Sequence, residues 1–443
     1  MLEANESLLP KSTKKGPDGR VARLNVICVG TEDHPLDELI RLLDTLGTNV
    51  AGSVIASTRK ISPATYITQG KLESAKALLE STGADGVVVD VELSPNQLRN
   101  AEAFLGKPVI DRPGVIIEIF SNHARTKESK TQVELARLEY ILPRLAHLWS
   151  HFERQRGGSG GGGAGQRGMG EKQIEVDRRL VKKRMSVLRE RLKEVEKERT
   201  IQRAKRKEVL KVALVGYTNA GKSTLLNALT RSKVLAEDKL FATLDASVRM
   251  LTPDSHPPVV AVDTVGFVSR LPPELVASFR STLEELHEAD LLVHVVDGSS
   301  PTAREELEVT VQVMKELEVE NTPRITVLNK MDLLRADTAG GAGALAQSLA
   351  RRNLARIVAP GAFSLSALNL EEVGRLREVI LEHFKSKLEA YEIVVPYSES
   401  KLEALVHKHG SVDRVKHLEK GTFMRVRMEE QWAKKLGLDK YRT

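Results

Sequence analysis

The stretch Val212-Ala213-Leu214-Val215-Gly216-Tyr217-Thr218-Asn219-Ala220-Gly221-Lys222-Ser223-Thr224 decides how the chain is read. Val212 to Val215 is an apolar run with the character of a buried strand. Gly216 and Gly221-Lys222-Ser223 bracket four residues, and Leu225, Leu226, Ala228 and Leu229 then recur at helical spacing. Strand, glycine loop and helix together make the setting of a phosphate-binding P-loop. Backbone N–H groups of Gly216 to Thr224 would turn onto phosphate oxygens, helped by the helix N-terminus. Lys222 would reach the β- and γ-phosphates, and the Ser223 hydroxyl would hold Mg²⁺.

Motifs downstream select the nucleotide. Asp263-Thr264-Val265-Gly266 ends an apolar run; the Asp would hold Mg²⁺ through water and the Gly266 N–H would meet the γ-phosphate. Asn329-Lys330-Met331-Asp332 follows another such run. Asp332 can accept both N1–H and the exocyclic amine of guanine, a donor pair adenine lacks. Asn329 would fix the loop, and the Lys330 stem would cover the ring. Ser364-Leu365-Ser366-Ala367 fits the last guanine loop, with a backbone N–H for the guanine O6. Phe241-Ala242-Thr243-Leu244-Asp245 lies where a first switch would close, Thr243 meeting Mg²⁺ and the γ-phosphate. GTP is therefore the expected ligand, with Lys222, Thr243 and Gly266 as the candidate catalytic set. Phe267 stands where a water-orienting Gln would sit and cannot do that work. Backbone and Thr243, a partner, or a second cation must help. Asn219 resembles the P-loop Asn of potassium-dependent GTPases, which helps ligate K⁺; a purely loop-stabilising role is the alternative.

Around this core the chain alternates apolar runs with helical patterns over residues 21–120 and 209–388, the rhythm of α/β domains with largely parallel sheets. Ser94 with Pro95 reads as a helix start. Residues 1–20 read as a disordered tail and 389–443 as a short α+β module. Between the α/β parts, residues 121–208 change character. Val133, Ala136, Tyr140, Leu145 and Leu148 mark a stripe on a helix to about 154, interrupted at Pro143. A glycine-rich run at 157–170 reads as irregular. Ile174, Val181, Leu188 and Val195 then repeat every seven residues, with Met185 and Leu192 completing a coiled-coil seam. An antiparallel helical hairpin with a glycine tip follows. Residues 171–208 hold 15 Lys/Arg against 8 Asp/Glu, an excess that matches the net charge of +7 for the whole chain. With Arg154, Arg156, Arg167, Arg178 and Arg179 near the tip, the arm reads as RNA-binding rather than as a solvated helix face.

Composition sets outer bounds on the 443 residues. One cysteine, Cys28, excludes an intramolecular disulfide. No apolar run reaches the length of a membrane span. Aromatics at 4% argue against a protein built to stack single-stranded bases. A monomeric cytoplasmic protein is expected, with peripheral membrane association left open. His147 and His151 lack a third partner for a metal site.

Taken together the chain resembles the HflX-type GTPases, over about residues 20–430. The resemblance is carried by Leu93-Ser-Pro-Asn-Gln-Leu-Arg-Asn100, Asp111-Arg-Pro-Gly114, Gln132 to Ala136, Leu142-Pro-Arg-Leu145, Gly168-Met-Gly-Glu171, the P-loop form Gly216 to Gly221, Asp263 to Phe267 and Arg270-Leu-Pro-Pro-Glu-Leu-Val276. The sequence departs from the family pattern at Asn122-His123, Ser129 and Lys172. The resemblance implies a GTPase, stimulated by the ribosome, that binds the large ribosomal subunit and splits stalled ribosomes under stress by extending the glycine tip toward the peptidyl-transferase centre. It also implies, for some members, an ATPase in the N-terminal domain; residues 1–120 carry no P-loop. A GTPase of ribosome assembly and a GTP-switched coiled-coil scaffold are the alternatives.

Overall fold

A computed structural model describes residues 8–9, 23–57, 61–145, 165–204, 209–231, 240–241, 247–251, 258–272, 275, 285–334, 357 and 359–443, with side chains of the long helix described over 175–198. The chain divides into two compact units. One holds residues 1–200 with 238–245 and 270–281; the other holds 201–237, 246–269 and 282–443.

In the first unit, β1 (Asn25–Thr31), α1 (Asp37–Thr45), β2 (Asn49–Ala56), α2 (Gln69–Thr82), β3 (Gly86–Val89), α3 (Pro95–Leu105) and β4 (Val109–Asp111) alternate. The four strands are parallel in the order β2-β1-β3-β4. This is the α/β architecture expected, since apolar runs such as Gly86–Val89 are buried at every position. At α3, Ser94 accepts from the Gln97 N–H and the Gln97 side chain accepts from the Ser94 N–H, a reciprocal cap with Pro95 in the first turn. Leu8, within the tail expected to be disordered, donates its N–H to Glu118 Oε1 at 2.6 Å. The rest of that tail lies outside the described residues.

The apolar segment after β4 is a helix, α4 (Arg112–His123), capped by Asp111 on the Gly114 N–H. It is buried from Arg112 to Phe120, so its sequence shows no polar face from which to read a helical period. The helix α5 (Lys127–Ile141) passes into a 3₁₀ turn at Leu142–Arg144, where Pro143 interrupts it as expected. The second arm, α6 (Gly165–Ala204), begins six residues earlier than Glu171, so residues 165–170 of the glycine run are helical and not irregular. Gln166, Arg167 and Met169 are interleaved with the glycines there, and extending an existing helix adds one hydrogen bond per residue without a new nucleus. Residues 146–164 lie outside the described ones.

The seam between the arms is made by Leu135, Leu138, Met185 and Leu188, with Leu142, Val181 and Leu192 against them. The second arm meets it through Val181, Met185, Leu188 and Leu192; Val195, also expected there, is not part of the cluster, and the side chain of Ile174 lies outside those described. In the first arm Tyr140, placed on the seam stripe by its spacing, instead donates its hydroxyl to Asp111 Oδ1 at 2.7 Å. Helix α5 carries two buried faces, and the one toward α4 took the stripe that spacing had assigned to the seam. Arg184–Glu134 at 2.6 Å and Arg189–Glu139 at 2.8 Å tie the arms on their exposed side.

The second unit contains β5 (Leu210–Gly216), α7 (Lys222–Thr230), β6 (Ser247–Met250), β7 (Val259–Asp263), β8 (Leu291–Asp297), α8 (Ala303–Glu316), β9 (Arg324–Asn329), β10 (Phe363–Ser364) and α9 (Leu370–Lys385). The sheet runs β10-β9-β8-β5-β7-β6, parallel except for β6. Its core gathers Val212, Leu214, Leu225, Leu226, Val293, Val327 and Leu376. The C-terminal residues form a second sheet of β11 (Glu389–Pro396), β12 (Ser411–Leu418) and β13 (Gly421–Met428), antiparallel in the order β11-β13-β12. Helices α10 (Ser400–His409) and α11 (Glu430–Leu436) join it, and Trp432 stacks on His409 at 3.7 Å. No helix among the described residues is long and apolar enough to cross a membrane.

Candidate nucleotide site

The P-loop leaves β5 at Gly216 and enters α7 at Lys222. Both glycines are required by geometry. A Cβ on Gly216, at φ +152, would stand 2.1 Å from the Val295 carbonyl oxygen, and one on Gly221, at φ +89, would stand 2.3 Å from Asn329 Nδ2. Asn219 turns the loop at φ 61, a left-handed conformation that Asn tolerates better than most side chains.

Lys222 is buried, and its ammonium donates to the carbonyls of Gly216 (3.1 Å) and Tyr217 (2.8 Å). Burial pulls its pKa down to about 8, against the opposing pull of Asp263. Ser223 Oγ donates to Asp263 Oδ2 at 2.7 Å. Hydroxyl and carboxylate are thus side by side, a hard-oxygen pair suited to Mg²⁺. Thr264 is buried and donates to the Leu214 carbonyl at 2.6 Å, and Val265 is buried beside it.

The loop after β7 is stitched to the P-loop. The Thr218 N–H donates to the Phe267 carbonyl (2.6 Å), the Phe267 N–H to the Gly216 carbonyl (3.1 Å), and the Ser269 N–H to the Tyr217 hydroxyl (2.7 Å). Gly266 is confined here too: a Cβ would meet Thr218 at 2.8 Å and Lys222 Nζ at 3.0 Å. The Phe267 ring is buried.

At the base end, Asn329 Nδ2 donates to the Ala220 carbonyl and its Oδ1 accepts from the Ala367 N–H, each at 2.9 Å. Lys330, at φ 59, pairs with Asp297 Oδ2 at 3.0 Å and approaches Asn219 Oδ1 at 3.5 Å. Asp332 is half-buried in a 3₁₀ turn, Met331–Leu334. The Met331 N–H donates to the Leu365 carbonyl, and Ser364 pairs with Leu328. The Ser366 N–H donates to Glu372 Oε2 at 2.7 Å. The Ser366 and Ala367 N–H groups, in the loop expected to offer one to the guanine O6, thus each have an acceptor within the protein, because the loop closes on Asn329 and on the first turn of α9.

Other expected residues belong to the first unit or lie outside the described residues. Phe241, read as part of the nucleotide site, belongs to the first unit, where its ring meets Phe120 edge-on at 4.7 Å. Ala242, Thr243, Leu244 and Asp245 lie outside the described residues. Arg154 and Arg156 also lie outside them, and Arg167 is described only as helix backbone. Arg178 is half-buried, while Arg179 is exposed and pairs with Glu175 at 3.4 Å. Spacing did not reveal Asp297 or Glu372. Asp297 could have been found, since it ends the apolar strand Leu291–Asp297 at the edge where α/β sheets bind ligands. Glu372 offered no such signal.

Comparison with known proteins shows the family to which the chain belongs. Residues 211–330 match the family described as 50S ribosome-binding GTPase, residues 33–121 the GTP-binding GTPase N-terminal region, and residues 123–206 the GTP-binding GTPase middle region. The GTPase HflX of Magnetococcus marinus is 43% identical over 89% of this chain and 88% of its own length. That of Caldanaerobacter subterraneus is 40% identical over 91% and 89%. Among solved structures, the GDP complex of the GTP-binding protein SsGBP is 26% identical, covering 81% of this chain and 98% of its own, at a TM-score of 0.45. Identity at this level across nearly the whole length places the chain in the HflX family of GTPases, enzymes that bind and hydrolyse GTP.

Proposed function

We propose that this GTPase acts on the large ribosomal subunit and separates stalled ribosomes into subunits, with GTP hydrolysis timing its release. The observation that carries this reading is the hairpin. A 40-residue helix, α6, is braced on α5 by an apolar seam and by Arg184–Glu134 and Arg189–Glu139. Residues 171–208 concentrate basic charge, as a phosphate-seeking arm requires. The match of residues 211–330 to a 50S ribosome-binding GTPase family supports the same partner.

In the nucleotide site, the P-loop N–H groups and Lys222 hold the phosphates, and Asp332 selects guanine. Ser223 and Asp263 are the residues that would hold Mg²⁺, which when bound neutralises charge between the β- and γ-phosphates. Thr243 completes that set from the first switch. Asn219 is the candidate ligand for K⁺, a role its 3.5 Å approach to Lys330 Nζ would have to yield to. Phe267 supplies nothing to orient water, so turnover is slow alone and faster on the ribosome.

Sedimentation of ribosomes with the full-length protein tests the reading. A shift to free subunits is expected with GTP or a non-hydrolysable analogue, and not with GDP. An unchanged profile with all three would refute it.

A further inference from the structure

Strand β8 lies between β5, which leads into the P-loop, and β9, which leads into Asn329. Its last residue, Asp297, stands opposite Asn329 in register, at the carboxyl end of the sheet between the phosphate loop and the guanine motif. Open α/β sheets take ligands at that end, yet Asp297 belongs to none of the nucleotide motifs.

The two oxygens of its carboxylate have separate partners. Oδ1 accepts from the Ser299 N–H at 2.9 Å and from the Ser299 hydroxyl at 2.6 Å, which closes a local turn. Oδ2 pairs with the Lys330 ammonium at 3.0 Å. The side chains of this pair are 15% exposed for Asp297 and 24% for Lys330, so salt and solvent screen it less than an open surface pair. The turn is itself fixed against the guanine motif. The Gly298 N–H donates to the Asn329 carbonyl at 2.9 Å, and a Cβ on Gly298 would stand 2.7 Å from Met331 Sδ.

Lys330 needs such a holder. Its backbone is at φ 59, which a lysine adopts only at a cost. Its long stem also loses rotamer freedom when it is fixed. The ammonium has one further, longer contact, 3.5 Å to Asn219 Oδ1 in the P-loop. Without Asp297 the charge is left to that contact and to water, and the stem loses the anchor at its far end.

We propose that Asp297 is a positioning residue for guanine-nucleotide binding: by holding the Lys330 ammonium it fixes the Lys330 stem as a wall for the base. It acts on the face of the ring and through Lys330, whereas Asp332 reads the ring edge directly. GDP and GTP share the benefit, because the base is common to both. The proposal deepens the guanine-nucleotide reading of this site and rests on it. Failure of wild-type protein to bind GDP would refute that reading itself; failure of the variants alone refutes only the role of Asp297.

The test measures dissociation constants of full-length protein for GDP, inosine diphosphate and inorganic tripolyphosphate. It compares wild type, Asp297→Asn, Lys330→Met and the double variant. Asn keeps an oxygen for the Ser299 turn and removes the charge that holds Lys330; Met keeps an apolar stem and removes the ammonium. Asp297→Asn should weaken GDP by ~10-fold, the scale of one hydrogen bond to a charged group. Inosine diphosphate should lose the same factor, because it presents the same ring face without the exocyclic amine. Tripolyphosphate has no base and should bind all four proteins alike. The double variant should bind GDP no more weakly than the weaker single. Unchanged GDP binding in Asp297→Asn, or full additivity of the two changes, overturns the proposal. So does a larger loss for GDP than for inosine diphosphate, which would place the effect on Asp332. An equal loss for tripolyphosphate would mean a general loosening of the site and overturns it as well. If Asp297→Asn fails to fold, Asp297→Ser, which also frees Lys330, carries the same expectations.

Discussion

Ser223 Oγ donates to Asp263 Oδ2 at 2.7 Å, which ties the first turn of the P-loop helix to the end of β7 across 40 residues of sequence. The bond sets side by side the hydroxyl and the carboxylate that are proposed to hold Mg²⁺, the latter through water. It also explains why a carboxylate can be held at 2% exposure so near the P-loop.

Replacing Asp263 by Asn keeps the shape and removes the charge. The apparent affinity for Mg²⁺ in GTP hydrolysis should fall by ~10–100-fold, as for other changes in the support of a metal site. A magnesium titration of the hydrolysis rate reads this directly. The same midpoint in wild type and variant would show that Asp263 does not help hold the ion.

Asn329 joins the P-loop to the guanine loop through bonds to Ala220 and Ala367. Asn329→Ala strands a buried carbonyl and a buried N–H, at ~1–3 kcal/mol for each group left unsatisfied. GTP and GDP should both weaken, by roughly tenfold or more, because 1.4 kcal/mol is a factor of ten. Competition binding with the two nucleotides checks that the loss is shared; loss of one alone would contradict a purely architectural role.

The lowered pKa of Lys222, about 8, has a definite sign. Between about 8 and 10.5 the folded protein carries this amine neutral, while the unfolded chain carries it protonated. The penalty of burying the charge is therefore present in full below pH 8, and its relief raises stability as pH climbs through that window. Bound phosphates favour the ammonium, so nucleotide affinity should be flat below pH 8 and fall above it. Binding near pH 8.5 should take up a proton, measurable by calorimetry in buffers of different ionisation enthalpy. Affinity unchanged up to pH 9.5 would contradict the assignment.

Much of the site was legible because its chemistry is local. The turn from Gly216 to Gly221 needs φ values that glycine supplies, and Ser94 and Gln97 cap each other three residues apart. Strands such as Leu291–Asp297 announce themselves as continuous apolar runs. The helix at Arg112–His123 did not, because burial on every side erased its period. Tyr140 was misread for a related reason: its helix has two apolar faces, and spacing cannot say which neighbour each will meet.

By itself, then, the sequence determined the strand–loop–helix of the P-loop, the guanine motif at Asn329 and Asp332, the alternation of an α/β fold and the basic coiled-coil arm. Each rests on backbone preferences and periodicities that act within a few residues. Only the tertiary structure decided that Tyr140 leaves the hairpin seam for Asp111, that Asn329 bridges two loops, and that Arg270 reaches Asp90 across 180 residues. These contacts are chosen by which surfaces exclude water together and which buried charges find partners. That competition involves the whole chain, and no local pattern records its outcome.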